Sequence, residues 1–130
     1  MIKERIQYLG LYPHEKLPTL LNTFDVFVLP SISVAGQLER FGRVLIEAMS
    51  CGVPVVGSTA GEIPDTIGSG GLIFPEGDSQ ALRKCLLEIK QNYQLRQKLI
   101  INAQKEVQAN YSWKIIAQKT FEIYQNVNQN

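Results

Sequence analysis

The sequence predicts an α/β fold, a parallel sheet with helices on both faces. Short runs rich in Val, Ile and Phe end at Gly or Pro, and segments with helical apolar spacing alternate with them. The runs are apolar nearly throughout rather than at every second position. Strands buried on both faces have that composition, and parallel strands are buried on both faces because their crossover helices cover them.

Taken in order, RIQYLG (Arg5 to Gly10) reads as a first strand and DVFVLP (Asp25 to Pro30) as a second. Between them, EKLPTLLNTF places Leu17, Leu20, Leu21 and Phe24 at helical spacing, and Pro18 fits if it falls in the first turn. FGRVLIEAMSCG sets Val44, Leu45, Ala48 and Met49 on one helical face and stops at Gly52, a left-handed C-cap. VPVVGS follows as a third strand, with Pro54 near its start. GEIPDTIG gives one helical turn, GGLIFP a fourth strand, and Asp78 an N-cap for SQALRKCLLEIKQ. Helical segments near Leu95 to Gln108 and Ser112 to Asn128 complete the chain, and the tail NVNQN frays.

The 130 residues, 45% of them hydrophobic, suffice for one domain with a core. A formal charge of +1, with both signs mixed along the chain, excludes the basic face that tracks a phosphate backbone, so nucleic acid is not expected as a partner. The two cysteines, Cys51 and Cys85, lie in apolar-periodic runs and read as buried, reduced thiols of a cytoplasmic protein. No apolar run approaches the ~20 residues of a bilayer span. No ligand-spaced His/Cys cluster or D-x-D occurs, so no metal is expected. The single histidine, His14, reads as a surface residue, and Trp113, Ile116, Phe121 and Tyr124 as packing on the last helix, with some of this apolar surface exposed where no further domain covers it.

The chemistry points to ERFGRVLIEAM, where Glu39 and Glu47 stand eight positions apart around Phe41-Gly42. In an open parallel sheet, ligands bind beyond the carboxyl ends of the strands, and the stretch from Leu29 to Gly42 leads from such an end into a helix N-terminus. Free N–H groups and the positive dipole end seat a diphosphate there, and Gly42 lets the backbone come close. Glu39 stands just outside that seat. Glu47 is too deep in the helix to cap it and needs a polar partner if buried; a ribose diol fits. By spacing alone a solvated surface pair is the commoner outcome. A glycosidase acid and nucleophile pair at ~5 Å is a sharper rival, but it leaves the anion seat unexplained.

The ordered set YLGLYPHEKLPTLLNTFDVFVLPS, ERFGRVLIEAMSCGVPVVGSTAGEIPDTI, GGLIFPEGD, Leu95-Arg96 and Tyr111-Ser112-Trp113 resembles the C-terminal domain of group 1, family 4 type glycosyltransferases of the GT-B fold. The likeness runs over nearly the whole chain. It implies a Rossmann-like, partial sugar-nucleotide-binding domain over residues 1–130, lacking the first strands of such a domain. By resemblance, Glu39 contacts the donor sugar and is the catalytic candidate. The backbone at Phe41, Gly42 and Arg43 lies against the diphosphate and sugar, Glu47 bonds the ribose hydroxyls, and Leu11 lies near the nucleobase. Arg40 and Arg43 replace small polar and aliphatic residues of the family, and Ala60-Gly61 replaces a frequent Gly-Gly, which bears on sugar and nucleotide preference.

The implied activity is retaining hexosyl transfer from a nucleoside diphosphate sugar, without metal or other cofactor, in polysaccharide or glycolipid synthesis. The implied partners are that donor, an N-terminal acceptor domain or separately encoded half, and a second copy meeting at open sheet edges. A membrane-surface acceptor, with the protein peripheral to the membrane, belongs to the same set. Alone, the chain is expected to bind without transferring sugar. With RIQYLG and DVFVLP separated by two strands in the family, the expectation is either their direct pairing or open edges that associate. The competing reading is a noncatalytic remnant or interaction module.

Overall fold

A computed structural model describes residues 3–34 and 41–127. A 3-10 turn at His14–Lys16 leads into α1 (Leu17–Leu21), with Pro18 in its first turn, where a missing N–H costs nothing. Then come β1 (Phe27–Leu29), α2 (Arg43–Ser50), β2 (Val55–Ser58), α3 (Ile63–Ile67) and β3 (Gly71–Phe74). Helices α4 (Ser79–Gln91) and α5 (Tyr93–Glu106) follow, then a π-helical turn at Val107–Tyr111 and α6 (Trp113–Val127). Two side chains set the starts of α4 and α5. The Asp78 carboxylate accepts from the N–H groups of Gln80 and Ala81 at 3.0 and 2.9 Å, and Asn92 Oδ1 accepts from Leu95 N–H at 2.9 Å.

The strands are parallel in the order β1-β2-β3, with Phe27 opposite Val55 and Val55 opposite Gly71. Because successive side chains point to opposite faces, this register sorts them into two layers. Phe27, Leu29, Val55 and Ile73 face α1, α2 and α3, where Leu21, Leu45, Ala48, Met49, Ile63 and Ile67 form the larger core. Val28, Val56, Leu72 and Phe74 face α4, which supplies Leu82, Cys85, Leu86 and Ile89. Helix α5 belongs to both: Leu95 and Leu99 enter the second core and Ala103 the first. It therefore passes along the outer edge of β3. The crossing is tight, for a Cβ on Gly70 would stand 2.5 Å from the Ala103 Cα.

Three expectations are corrected. RIQYLG is no strand: Arg5 ends a 3-10 turn, and Ile6 to Gly10 have no regular structure, with Ile6 and Tyr8 exposed. A strand needs a neighbour for its backbone groups and a face to bury, and no described strand lies beside this segment. It does not pair directly with β1, whose outer edge carries no strand among the described residues. On the last helix the exposure goes further than expected: no residue of α6 is buried, and Trp113 is 85% exposed. The two cysteines are half-buried rather than buried, and both are free. The tail residues 128–130 lie outside the described residues.

The Gly70 contact is with helix backbone, which cannot step aside as a side-chain tip does. Gly70→Ala is expected to cost about 1–3 kcal/mol, the range for overfilling a close-packed site. A lowered urea midpoint with unchanged slope checks it, and an unaltered midpoint would place the helix crossing elsewhere.

Candidate functional site

The three strands end side by side, and the loops beyond them are joined by polar bonds. Ser58 Oγ donates to the Ser31 carbonyl at 2.6 Å and accepts from Ala60 N–H at 3.3 Å. Thr59 Oγ1 accepts from Glu76 N–H at 3.0 Å, and the Glu76 carboxylate accepts from Ser33 N–H at 2.8 Å. The loops after β1, β2 and β3 are thereby one connected rim.

Helix α2 begins at that rim. Its N-cap is Gly42, left-handed at φ 55° and ψ 44°, and no side chain caps the first turn. Glycine adopts that conformation without the Cβ clash other residues meet, and a Cβ here would also lie 2.9 Å from Leu45 Cδ1. The first turn and the positive end of the helix dipole therefore start beside Leu29, at the carboxyl end of β1, with Leu45 N–H donating to the Gly42 carbonyl at 2.7 Å.

The residue before the cap is braced from below. The buried Thr66 hydroxyl donates to the Phe41 carbonyl at 3.0 Å, and the Phe41 ring meets Tyr111 edge-on at 5.8 Å. Tyr111 closes the π-helical turn after α5. Burial, and then the negative charges of Glu106 and Asp65, push its hydroxyl pKa up against a hydrogen bond with Thr66 that pulls down, so it stays protonated at neutral pH.

One and a third turns into α2, Glu47 is half-buried and its Oε1 lies 3.0 Å from His14 Nε2. A carboxylate only accepts, so the imidazole proton sits on Nε2. Both side chains border a cavity of about 170 Å³ between α1 and α2, with Leu17, Pro18, Ser50 and Cys51. Burial, and secondarily the charge of Glu47, raises the Cys51 pKa and keeps it a thiol.

Of the residues read from the sequence, the structure brings Phe41, Gly42, Arg43 and Glu47 onto the start and one flank of α2. Arg43 is exposed and Gly42 buried. Leu11 is fully exposed, three residues before His14. Glu39 and Arg40 lie outside the described residues. Among the described residues, no group of three or more His, Cys, Asp and Glu side chains is placed to hold a metal, and no helix is long and apolar enough to cross a membrane. Sequence reasoning missed the Thr66 and Tyr111 brace, the Ser58 and Glu76 links, and the His14 bond, all of which join residues far apart in the chain.

The family model described as "Glycosyl transferases group 1" matches residues 1–106. The O-antigen chain mannosyltransferase B of Escherichia coli is 37% identical over 120 residues, covering 92% of this chain and 30% of that protein. The amylovoran biosynthesis glycosyltransferase AmsK of Erwinia amylovora is 31% identical over 129 residues, covering 97% of this chain and 32% of that one. In structure, HepE of Anabaena, solved in complex with UDP, superposes with a TM-score of 0.84 at 27% identity, over 96% of this chain and 33% of its own. The chain spans about a third of the length of these relatives.

The brace under Phe41 is separable from its packing. Thr66→Val keeps the shape and removes the donor, and is expected to lower stability by about 1 kcal/mol, while Thr66→Ser restores most of the loss. Denaturant titration of the three proteins checks it; equal midpoints for Val and Thr would mean that the bond contributes nothing.

Proposed function

The chain belongs to the family of glycosyl transferases group 1, and from that premise we propose that it forms the donor-binding part of a retaining glycosyltransferase. The donor is a nucleoside diphosphate sugar, and a hexosyl group passes to an acceptor in polysaccharide or glycolipid synthesis. Relatives named for O-antigen and amylovoran chains support that class of product, and the UDP complex of HepE supports that class of donor.

The single observation that carries the proposal is the composition of α2. It starts with a glycine cap at the carboxyl edge of the sheet and presents a half-buried carboxylate on the same helix. Glu47 lies four positions beyond Arg43, a rise of about 6 Å along the axis. That is the scale of the step from a diphosphate to its ribose. The diphosphate sits on the first-turn N–H groups beside Phe41, Gly42 and Arg43, Glu47 accepts from the ribose hydroxyls, and Leu11 offers backbone to the base. The family resemblance assigns Glu39 to the donor sugar, where a carboxylate helps a positively charged anomeric carbon form. As the sugar leaves, negative charge grows on the diphosphate, and fixed dipoles aimed at it stabilise the transition state more than the ground state.

The acceptor and the groups that activate it come from outside residues 1–130. In this arrangement the chain acts together with an N-terminal acceptor domain, and a membrane-surface acceptor fits the glycolipid branch. A second reading, an interaction module without turnover, is favoured by the exposed apolar residues of α6. Absence of affinity for any nucleoside diphosphate would select it.

Glu47→Ala is expected to weaken nucleoside diphosphate binding by about 1.5–3 kcal/mol, the cost of a lost hydrogen bond to a charged group. Glu39→Ala is expected to spare bare nucleotide and reduce the preference for sugar nucleotide. Calorimetric titration with both ligands separates the two roles, and equal losses in both variants would speak for general damage. Binding is also expected to survive chelation, since the anion seat is backbone. Loss of affinity in EDTA that magnesium or manganese restores would show that a cation completes the seat.

A further inference from the structure

We propose that His14 is a positioning residue for Glu47: it holds Oε1 so that Oε2 is presented to the ribose hydroxyls. The inference rests on the ribose reading of Glu47 given above and adds a residue to it. Glu47 lies on α2 and His14 on the turn entering α1, 33 positions earlier, yet their side chains meet at 3.0 Å. The bond occupies one carboxylate oxygen. The other has no partner among the described residues.

A glutamate has three side-chain torsions, and a free carboxylate would sample several orientations before a ligand fixed one. The cost of immobilising such a side chain falls on binding unless it has been met beforehand. The His14 ring is suited to meet it. Its turn runs directly into α1, whose Leu21 is 1% exposed in the main core, so the ring is carried by an anchored element. At 77% exposure for the histidine side chain and 30% for the glutamate, the pair adds little to folding stability. Its effect is therefore on ligand affinity rather than on the fold.

That distinction makes the test specific. Affinities are measured by calorimetry for UDP and GDP and for their 2′,3′-dideoxy analogues, with wild type, Glu47→Ala, His14→Ala and His14→Gln. His14→Ala is expected to lose about three- to tenfold on the ribonucleotides and nothing on the dideoxy analogues, with an unchanged melting temperature. His14→Gln, whose amide can donate from a similar place, is expected to stay within about twofold of wild type. If Glu47→Ala discriminates between the two ligand classes but His14→Ala binds both as wild type does, or weakens both equally, the positioning role is overturned and the ribose reading stands. A glutamine variant as weak as the alanine variant overturns the donor role in the same way. If Glu47→Ala itself fails to discriminate, or the wild type binds none of the four ligands, the ribose reading falls and this inference falls with it.

Discussion

The structure depends on one constraint, the complete burial of β2 between two helical layers. Val55 and Val56 are each 0% exposed, and because they are consecutive they root opposite cores. The helical layers on its two sides are placed by those two contacts. Helices α2 and α3 close over Val55, and α4 closes over Val56. Glycines at 57 and 71 keep that central ground flat enough for Ile63 and Ile67 to descend onto the sheet. A polar residue at either valine would leave an unpaired group in a place no water reaches.

The candidate site inherits its geometry from the same arrangement. Parallel strands in register finish on one side, so three loops arrive together and are tied by serine, threonine and glutamate side chains. Helix α2 then has a fixed starting point, because Leu45, Ala48 and Met49 sit in the core that β2 defines. The backbone preceding it is held from beneath by Thr66 and Tyr111. In the proposed function the anion seat is made of backbone N–H groups, with no side chains to adapt to the ligand, so it would rely on that rigidity.

Much of this was legible in the sequence, and the exceptions share a cause. DVFVLP, VPVVGS and GGLIFP became strands, and Asp78 capped its helix, because each signal acts over a few residues. RIQYLG carries the same kind of composition and is not a strand, since β-structure is completed by neighbours rather than by the segment itself. The periodicity of α6 predicts the helix that forms, but not how much of its apolar face is covered, because amphipathicity names a face and not what lies on it. At the site, the start of α2 followed from Gly42 and the apolar spacing. The bonds from His14 to Glu47 and from Thr66 to Phe41 span 33 and 25 positions, and only the topology brings them together. By its place in the sequence Glu47 needs a polar partner if buried, and the protein supplies one of its own in the form of an imidazole.

The course of α5 gives the sheet an unequal pair of borders. By passing from the second core to the first beside Gly70, it shields the outside of β3, whereas among the described residues no strand lies on the outside of β1. In the language of polymer growth the sheet is monofunctional. Two copies joined border to border, through β1 and its mate, would consume both available ends at once and form a closed two-fold pair. Propagation into a fibre needs two reactive borders per molecule, and the described structure has one.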